Sequence, residues 1–346
     1  MNPPTLHEKV DVLIRDTVGE TEHRDAIREI MLTALRLSEN HVTEGDISII
    51  HTALKEIRHG IKLFSPYRNV RKVTVFGSAR TEPSDSIYRY STIFSRKMSE
   101  KGFMSITGAG EGIMRAAQEG AGSGNSFGVN IQLPFEQSAN EFIENDPKLM
   151  TFKYFFTRKL FFIREADAIA LFPGGFGTHD EAFEILTLLQ TGKSDPLPVV
   201  MIDEPGGDYW KRWQAYVKEA LVARELVSPD DMHFFKVTDQ TDEAVEEIAQ
   251  FYRNYHSIRF LNKGMVIRLI NPVEKQMLDQ LNDQFSDIVA SGRIVTSGPF
   301  LEEEDEPDSL AFHRIVFHFD RRHFGRLRKL IDVINRYVPE TQKEAS

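Results

Sequence analysis

The chain has 346 residues, of which 41% are hydrophobic and 27% charged, the balance of a soluble globular protein with material for two or three cores. It contains no cysteine, which excludes a disulfide framework, a thiolate nucleophile and cysteine-ligated zinc or iron–sulfur sites, and a cytoplasmic location is expected. A net charge of -10 and a pI near 5.6 argue against a nucleic-acid surface; the charged N-terminal segment and the lack of an apolar run of about 18 residues argue against a signal peptide or a membrane partner.

Apolar residues at three- and four-residue steps (Val10, Leu13 and Ile14, then Ile27, Ile30, Met31, Ala34 and Leu35) predict helices in the first 65 residues. A third helix is expected from the capping-type Thr43-Glu-Gly-Asp46 to Gly60. Residues 1–66 thus read as a helical N-terminal extension suited to packing or assembly. From Arg71, β-rich runs at 73–76, 103–107, 127–133, 168–172, 197–202 and 233–238 alternate with helical segments. This alternation predicts an α/β fold over residues 67–257, a Rossmann-like doubly wound parallel sheet with its ligand site at the carboxyl ends of the strands. Beyond residue 257, a strand at 264–270, a helix near Pro272 to Ser291, strands at 293–298 and 314–319 and a last helix to Tyr337 give a β-α-β-β-α order. Residues 258–346 therefore read as a small α+β C-terminal domain, and its acidic loop, Glu302 to Asp308, is expected to be solvated.

The most informative stretch is Phe172-Pro-Gly-Gly-Phe-Gly-Thr-His-Asp-Glu181, between an apolar strand and a periodic helix. Gly174, Gly175 and Gly177 remove the side chains that would keep an anion from the backbone, and the unpaired N–H groups of the first helical turn can bind a phosphate. Phe76-Gly-Ser-Ala-Arg80 and Thr107-Gly-Ala-Gly-Glu-Gly112 repeat the strand-to-glycine-to-helix pattern, so three turns converge on one face of the sheet. No acidic residue closes a second strand at the distance a dinucleotide site needs, so bound NAD is not expected. Arg158 and Lys159 lie in a helix-like stretch from Phe152 to Glu165 and suit an anionic ligand, or else are solvated charges on an amphipathic helix. Glu181 has two readings, a carboxylate held beside the ligand or one half of a Thr178–Glu181 capping box; at a helix start the dipole would keep it ionised. The eleven histidines show no ligand spacing, and His313 and His318 read as strand-surface residues. No metal and no cofactor is expected, and no pyridoxal-type lysine is evident.

The Pro173 to Glu181 string resembles the PGGxGTxxE motif of the LONELY GUY family, phosphoribohydrolases often mislabelled as lysine decarboxylases. Arg158-Lys159 is similar to the family's Arg-Lys pair, and Gly77-Ser78 and Thr107-Gly-Ala-Gly-Glu-Gly-Ile-Met114 to its first two glycine turns; the likeness covers roughly residues 70–255. It implies hydrolysis of the N-glycosidic bond of a nucleoside 5′-monophosphate, with Arg158 and Glu181 as the catalytic pair. It also implies Gly77, Ser78, Gly108, Gly110, Lys159, Gly174, Gly175, Gly177 and Thr178 around the substrate, and a homodimer or higher homo-oligomer. Two positions depart from the pattern: Ala109 replaces a glycine, and Glu111 puts a carboxylate in the turn, where it could repel phosphate or contact a ribose hydroxyl. Leu133-Pro-Phe-Glu-Gln137 with Asn140 resembles longer bacterial members acting on ordinary nucleotides. The alternative is a non-catalytic nucleotide or cofactor carrier, or a nucleotide-sensing module, on the same fold.

Overall fold

The computed structural model describes residues 5–19, 21–39, 41–134 and 138–337. Phe135, Glu136 and Gln137 of the Leu133–Gln137 string lie outside them. The chain divides into two compact units, residues 1–62 and 63–346. No helix among the described residues is long and apolar enough to cross a membrane.

In the first unit, α1 (Leu6–Thr17) and α2 (Arg24–Arg36) close on a small cluster of Val10, Ile14 and Leu32, with Ile27 and Met31 packed against it. The helix α3 (Glu44–Phe64) starts at the expected cap, where Asp46 accepts hydrogen bonds from the Thr43 amide and hydroxyl. It continues past Gly60, the expected end. An interior glycine costs a helix only about 1 kcal/mol, and in the second unit Phe64 at the helix end is fully buried, its ring stacked 4.4 Å from that of Phe127.

The second unit is built on β1 (Lys72–Phe76), β2 (Met104–Thr107), β3 (Ser126–Ile131), β4 (Leu149–Phe152), β5 (Ala168–Leu171), β6 (Val199–Ile202) and β7 (Phe235–Thr238). All pair in parallel in the order β4-β3-β2-β1-β5-β6-β7, the doubly wound arrangement expected from the alternation of elements. The strand order reverses between β1 and β5, where such sheets open a crevice at their carboxyl ends. Every residue of β1, β2, β3, β5 and β6 is buried, because helices cover both faces and leave no solvated side to alternate toward. The helices used below are α4 (Ser86–Glu100), α5 (Ile113–Ala121), α6 (Phe155–Arg164), α7 (Phe176–Thr191), α8 (Tyr209–Tyr216) and α9 (Thr241–Phe251). Phe152 belongs to β4, a strand the aromatic run concealed, and not to the helix that carries Arg158.

The C-terminal elements are β8 (Tyr255–Leu261), β9 (Gly264–Leu269), α10 (Lys275–Gln284), β10 (Val289–Ser297), β11 (His313–Phe319) and α11 (Phe324–Arg336). They form an antiparallel sheet in the order β10-β11-β9-β8, so the expected β-α-β-β-α order is preceded by one further strand, and β8 runs through residue 258. That strand, Tyr-His-Ser-Ile-Arg-Phe-Leu, is half polar, and its apolar side is recognisable only once β9 lies beside it. Met265, Ile267, Ile315 and Phe317 on one face of this sheet share a single buried cluster with Leu327 and Ile331 of α11, Phe251 of α9 and Ala170 of β5. Arg328 of α11 reinforces the join, donating 2.7 Å to Glu247 of α9.

The acidic loop corrects the expectation of solvation. Glu303 is 0% exposed, accepting hydrogen bonds from Arg268 Nε at 2.8 Å and Arg314 Nε at 2.9 Å. Glu306 pairs with Arg268 and Arg259, and Asp305 with Arg259. The loop is a cover pinned over the second face of the sheet, where Arg268 and Arg314 are register partners. His313 and His318 are exposed on β11, as expected.

Candidate active site

Three loops leave the carboxyl ends of neighbouring strands, after β1, β2 and β5, and meet at the crevice. They are tied to one another through the backbone: the Ser78 amide donates to the Pro173 carbonyl and the Ile113 amide to the Ser78 carbonyl, both at 3.0 Å. A cleft of about 860 Å³ opens there. Its lining includes Gly77, Ser78, Gly108, Gly110, Arg158, Gly174, Gly175, Gly177, Thr178 and Glu181, so the three glycine turns and both members of the expected pair share one cavity. A second cleft, about 780 Å³, lies at the amino ends of β5 and β6, beside Asp167 and Pro196, and has none of these turns.

Two glycines let neighbouring groups approach the turns closely. A Cβ on Gly108 would collide with Nη2 of Arg158 and with the Met114 sulfur; one on Gly174 would collide with the Thr178 side chain and crowd the Ser78 amide. The guanidinium of Arg158 can therefore lie against the second turn only because that turn has no side chain there. Its Nε donates to the Val129 carbonyl at 2.8 Å and its plane covers the Phe162 ring. Burial pulls its pKa down to about 10, partly offset by the nearby Glu181 carboxylate, so it remains a cation at neutral pH.

The helix α7 begins at Phe176 with Gly175 as its cap and no side chain bonded to the cap position. This displaces the capping-box reading, since Thr178 is already in the first turn and Glu181 lies beyond it. First-turn amides without a side-chain cap are anion donors. Glu181 is 7% exposed, and its buried Oε2 has no hydrogen-bond partner among the described residues. The expectation that the helix dipole keeps it strongly acidic is corrected. Burial pushes its pKa up to about 7, with Lys159 acting in the opposite direction and Glu184 adding to the rise.

Lys159 stands apart from the other expected ligand groups. It does not line the cleft; its ammonium reaches Glu184 at 2.7 Å, Asp180 at 2.9 Å and Glu181 Oε2 at 3.5 Å. Burial alone would depress its pKa, but the hydrogen bonds to Glu184 and Asp180 outweigh that and raise it. Its charge is thus taken up by carboxylates of α7 instead of being offered to an anion. Glu111 also points elsewhere than expected, pairing with Arg115 at 3.7 Å and leaving the lining to Gly108, Gly110 and Met114.

Two groups at the site were not among the expected site residues: Tyr209, which had no signal in the sequence, and Asn140, which was noted only for the resemblance of its segment to longer bacterial members. Tyr209, at the start of α8, donates its hydroxyl to the Gly174 carbonyl at 2.5 Å, and His179 Nε2 lies 2.7 Å from the same hydroxyl. Asn140 is 2% exposed, and its Nδ2 lies within 3.1 Å of the Ala109 carbonyl, 2.8 Å of Gly110 and 2.6 Å of Gln118 Oε1. It steadies a turn in which Ala109 adopts a left-handed φ of 62°, a conformation a glycine would take at lower cost. Among the described residues, no group of three or more histidine or acidic side chains is placed to hold a metal ion.

Residues 111–248 match the family model described as possible lysine decarboxylase. Over 94 residues the chain is 29% identical to a probable cytokinin riboside 5′-monophosphate phosphoribohydrolase of Oryza sativa subsp. japonica. That match covers 27% of this chain and 36% of the relative, so the chain spans about a third of the length of the curated protein it resembles. Among solved structures, the molybdenum cofactor carrier protein of Chlamydomonas reinhardtii aligns at 15% identity and a TM-score of 0.35, covering 52% of this chain and 97% of that one. The molybdenum cofactor binding protein of the phototrophic bacterium Rippkaea orientalis aligns at 17% identity and a TM-score of 0.33, covering 51% and 93%. The glycine motif seated between β5 and α7 lies within the segment 111–248 that resembles the possible lysine decarboxylase family model.

Proposed function

We propose that the chain hydrolyses the N-glycosidic bond of nucleoside 5′-monophosphates, releasing free base and ribose 5-phosphate. The observation that carries this reading is Glu181, a buried carboxylate whose Oε2 accepts no hydrogen bond among the described residues and has only the Lys159 ammonium at 3.5 Å, lining the same cleft as three glycine turns and the cation Arg158. A ligand held only by backbone amides and an arginine has no need of such a group, and an unsatisfied buried polar atom costs about 1–3 kcal/mol. Bond cleavage gives it a purpose. As the C1′–N bond breaks, positive charge develops on the ribose, and an ionised carboxylate in a desolvated site stabilises it. Water then adds its oxygen to C1′ and gives a proton to Glu181, the departing base nitrogen takes up a proton from solvent, and Glu181 returns its own to solvent, so that one water is consumed in all.

In this scheme Gly174, Gly175, Gly177 and Thr178 at the start of α7, with Gly77, Ser78, Gly108 and Gly110, receive the 5′-phosphate, whose binding energy positions the ribose remote from the breaking bond. Arg158 faces the anionic ligand. The longer-bacterial type of substrate, an ordinary purine or pyrimidine nucleotide such as AMP, belongs to the same proposal. So does assembly as a homodimer, for which Phe155, Phe156 and Leu160 of α6 and Phe183 of α7 supply exposed apolar surface.

The test is incubation of the full chain with a panel of nucleoside monophosphates, following free base by chromatography. Base release is expected, with kcat/KM at least about a hundredfold lower for the matching nucleosides, which lack the anchoring phosphate. Binding of a nucleotide without release would instead identify a carrier or sensor. Tyr209→Phe is expected to raise KM for the nucleotide by roughly threefold to tenfold, the worth of one hydrogen bond holding the Gly174 carbonyl, with kcat little changed. Initial-rate measurements on the two proteins check this.

A further inference from the structure

Along α3, Ile47, Ile50, Leu54, Ile57 and Ile61 recur at steps of three, four, three and four. That is a period of about 3.5 residues, whereas a straight helix repeats every 3.6, so such a stripe stays in line only if helices wind round one another. A helix that merely lies on a globular core shows a broader apolar face. The stripe is open to solvent: Ile47 is 40% exposed, Ile50 43%, Leu54 50% and Ile61 38%. The buried cluster of the first unit, Val10, Ile14 and Leu32, takes nothing from it.

We propose that α3 is an assembly helix whose seam packs against the same seam of further copies of this chain, parallel and in register. A parallel bundle sets each of the five apolar residues beside its own counterpart and uses nothing outside residues 47–61. An antiparallel pair would have to oppose Ile47 with Phe64, the next residue of the repeat, but Phe64 is 1% exposed and stacked on Phe127. The flanking charges point the same way. His51 and Arg58 border one edge of the seam and Asp46, Ala53 and Gly60 the other, so antiparallel helices would bring His51 against Arg58, whereas parallel ones bring Asp46 of one copy to His51 of the next. Isoleucine at Ile50 and Ile57, with Leu54 between them, favours three or four strands over two.

The chain has no cysteine, so a single introduced one reports on the seam directly. Ile50→Cys in the full chain, oxidised at low protein concentration, is expected to crosslink at least about tenfold faster than Ile49→Cys, since facing positions in a parallel bundle come within the roughly 6 Å between Cα atoms that a disulfide bridges. Ile49 lies on the same helix, 45% exposed, but off the seam. Adding Leu54→Glu to Ile50→Cys should abolish the crosslink while the thermal melt of the second unit stays unchanged. Equal rates at positions 49 and 50, no crosslink at 50, or one that survives Leu54→Glu overturns the proposal. So does a mixed disulfide between separate Ile50→Cys and Ile61→Cys chains, which only an antiparallel pairing forms.

Discussion

Replacing Glu181 with glutamine is expected to lower kcat for base release by at least about a hundredfold, the scale of removing one preorganised electrostatic group, and to make the folded protein more stable above pH 7. The two effects have one cause. Burial raises the Glu181 pKa from 4.5 to about 7. Between those values the folded chain retains a proton that the unfolded chain has released, so stability falls as pH rises through the interval. Converted at 1.36 kcal/mol per unit, the ionised carboxylate costs the fold up to about 3 kcal/mol at pH 8. Glutamine fits the same space without ionising and leaves Lys159 its partners Asp180 and Glu184. Thermal melts of the two proteins should coincide near pH 4.5, separate as pH rises toward 7 and stay apart above it. The wild-type kcat/KM should rise with pH and level off above about 7, because the ionised form carries the chemistry. A variant that loses turnover and loses stability equally at both pH values would mean that Glu181 is only a structural group.

This opposition of stability and chemistry also explains which parts of the molecule were legible in the sequence. The strands of the parallel sheet announced themselves because they are buried on both faces and are therefore mostly apolar, as in Val73 to Phe76, where only Thr74 is polar, and Ala168 to Phe172. The glycine turns were legible because close approach excludes other residues at Gly112, where a Cβ would meet the Ser78 carbonyl, and at Gly174. Features that depend on what lies opposite were not. β4 and β8 are short or half polar, and each becomes a strand only beside its neighbour. Local reasoning gave Glu181 the low pKa of a helix-start carboxylate, but its surroundings come from α6 and from loops distant in sequence, and desolvation outweighs the dipole. Tyr209 and Asn140 reach the glycine loops from 35 and 31 residues away, with no spacing to betray them. The acidic run at 302–308 misled most, since a charge run is ordinarily solvated and nothing local to it shows the two arginines beneath.

Those arginines set up the largest stability effect expected in the molecule. Glu303→Ala should destabilise the second unit by about 3–5 kcal/mol, the cost of leaving buried charges without their counterion, read as a fall in the urea midpoint. Glu303 lies between Arg268 and Arg314, 3% and 2% exposed, which gain no compensating water when the carboxylate is removed. The two arginines are not equivalent. Arg268 keeps Glu306 as a second partner, whereas Arg314 also donates to the Ser309 carbonyl at 3.0 Å and to that of Phe312, so it holds the loop backbone as well as the acid. Arg314→Met should therefore cost more than Arg268→Met, since it strands three carbonyls, those of Ser309, Leu310 and Phe312, in addition to Glu303. Burial works to raise the Glu303 pKa, but the hydrogen bonds from Arg314, the Phe300 amide and Arg268 outweigh it and hold the carboxyl below its ordinary 4.5. A depressed folded-state pKa contributes stability above that value and loses it as pH falls through the folded one. Wild type should accordingly weaken in acid below pH 4.5 by a component that Glu303→Ala lacks, and a variant whose urea midpoint matched wild type at neutral pH would show that the loop is held by its apolar contacts, such as Phe300 on Val266 and Val316, and not by the buried charges.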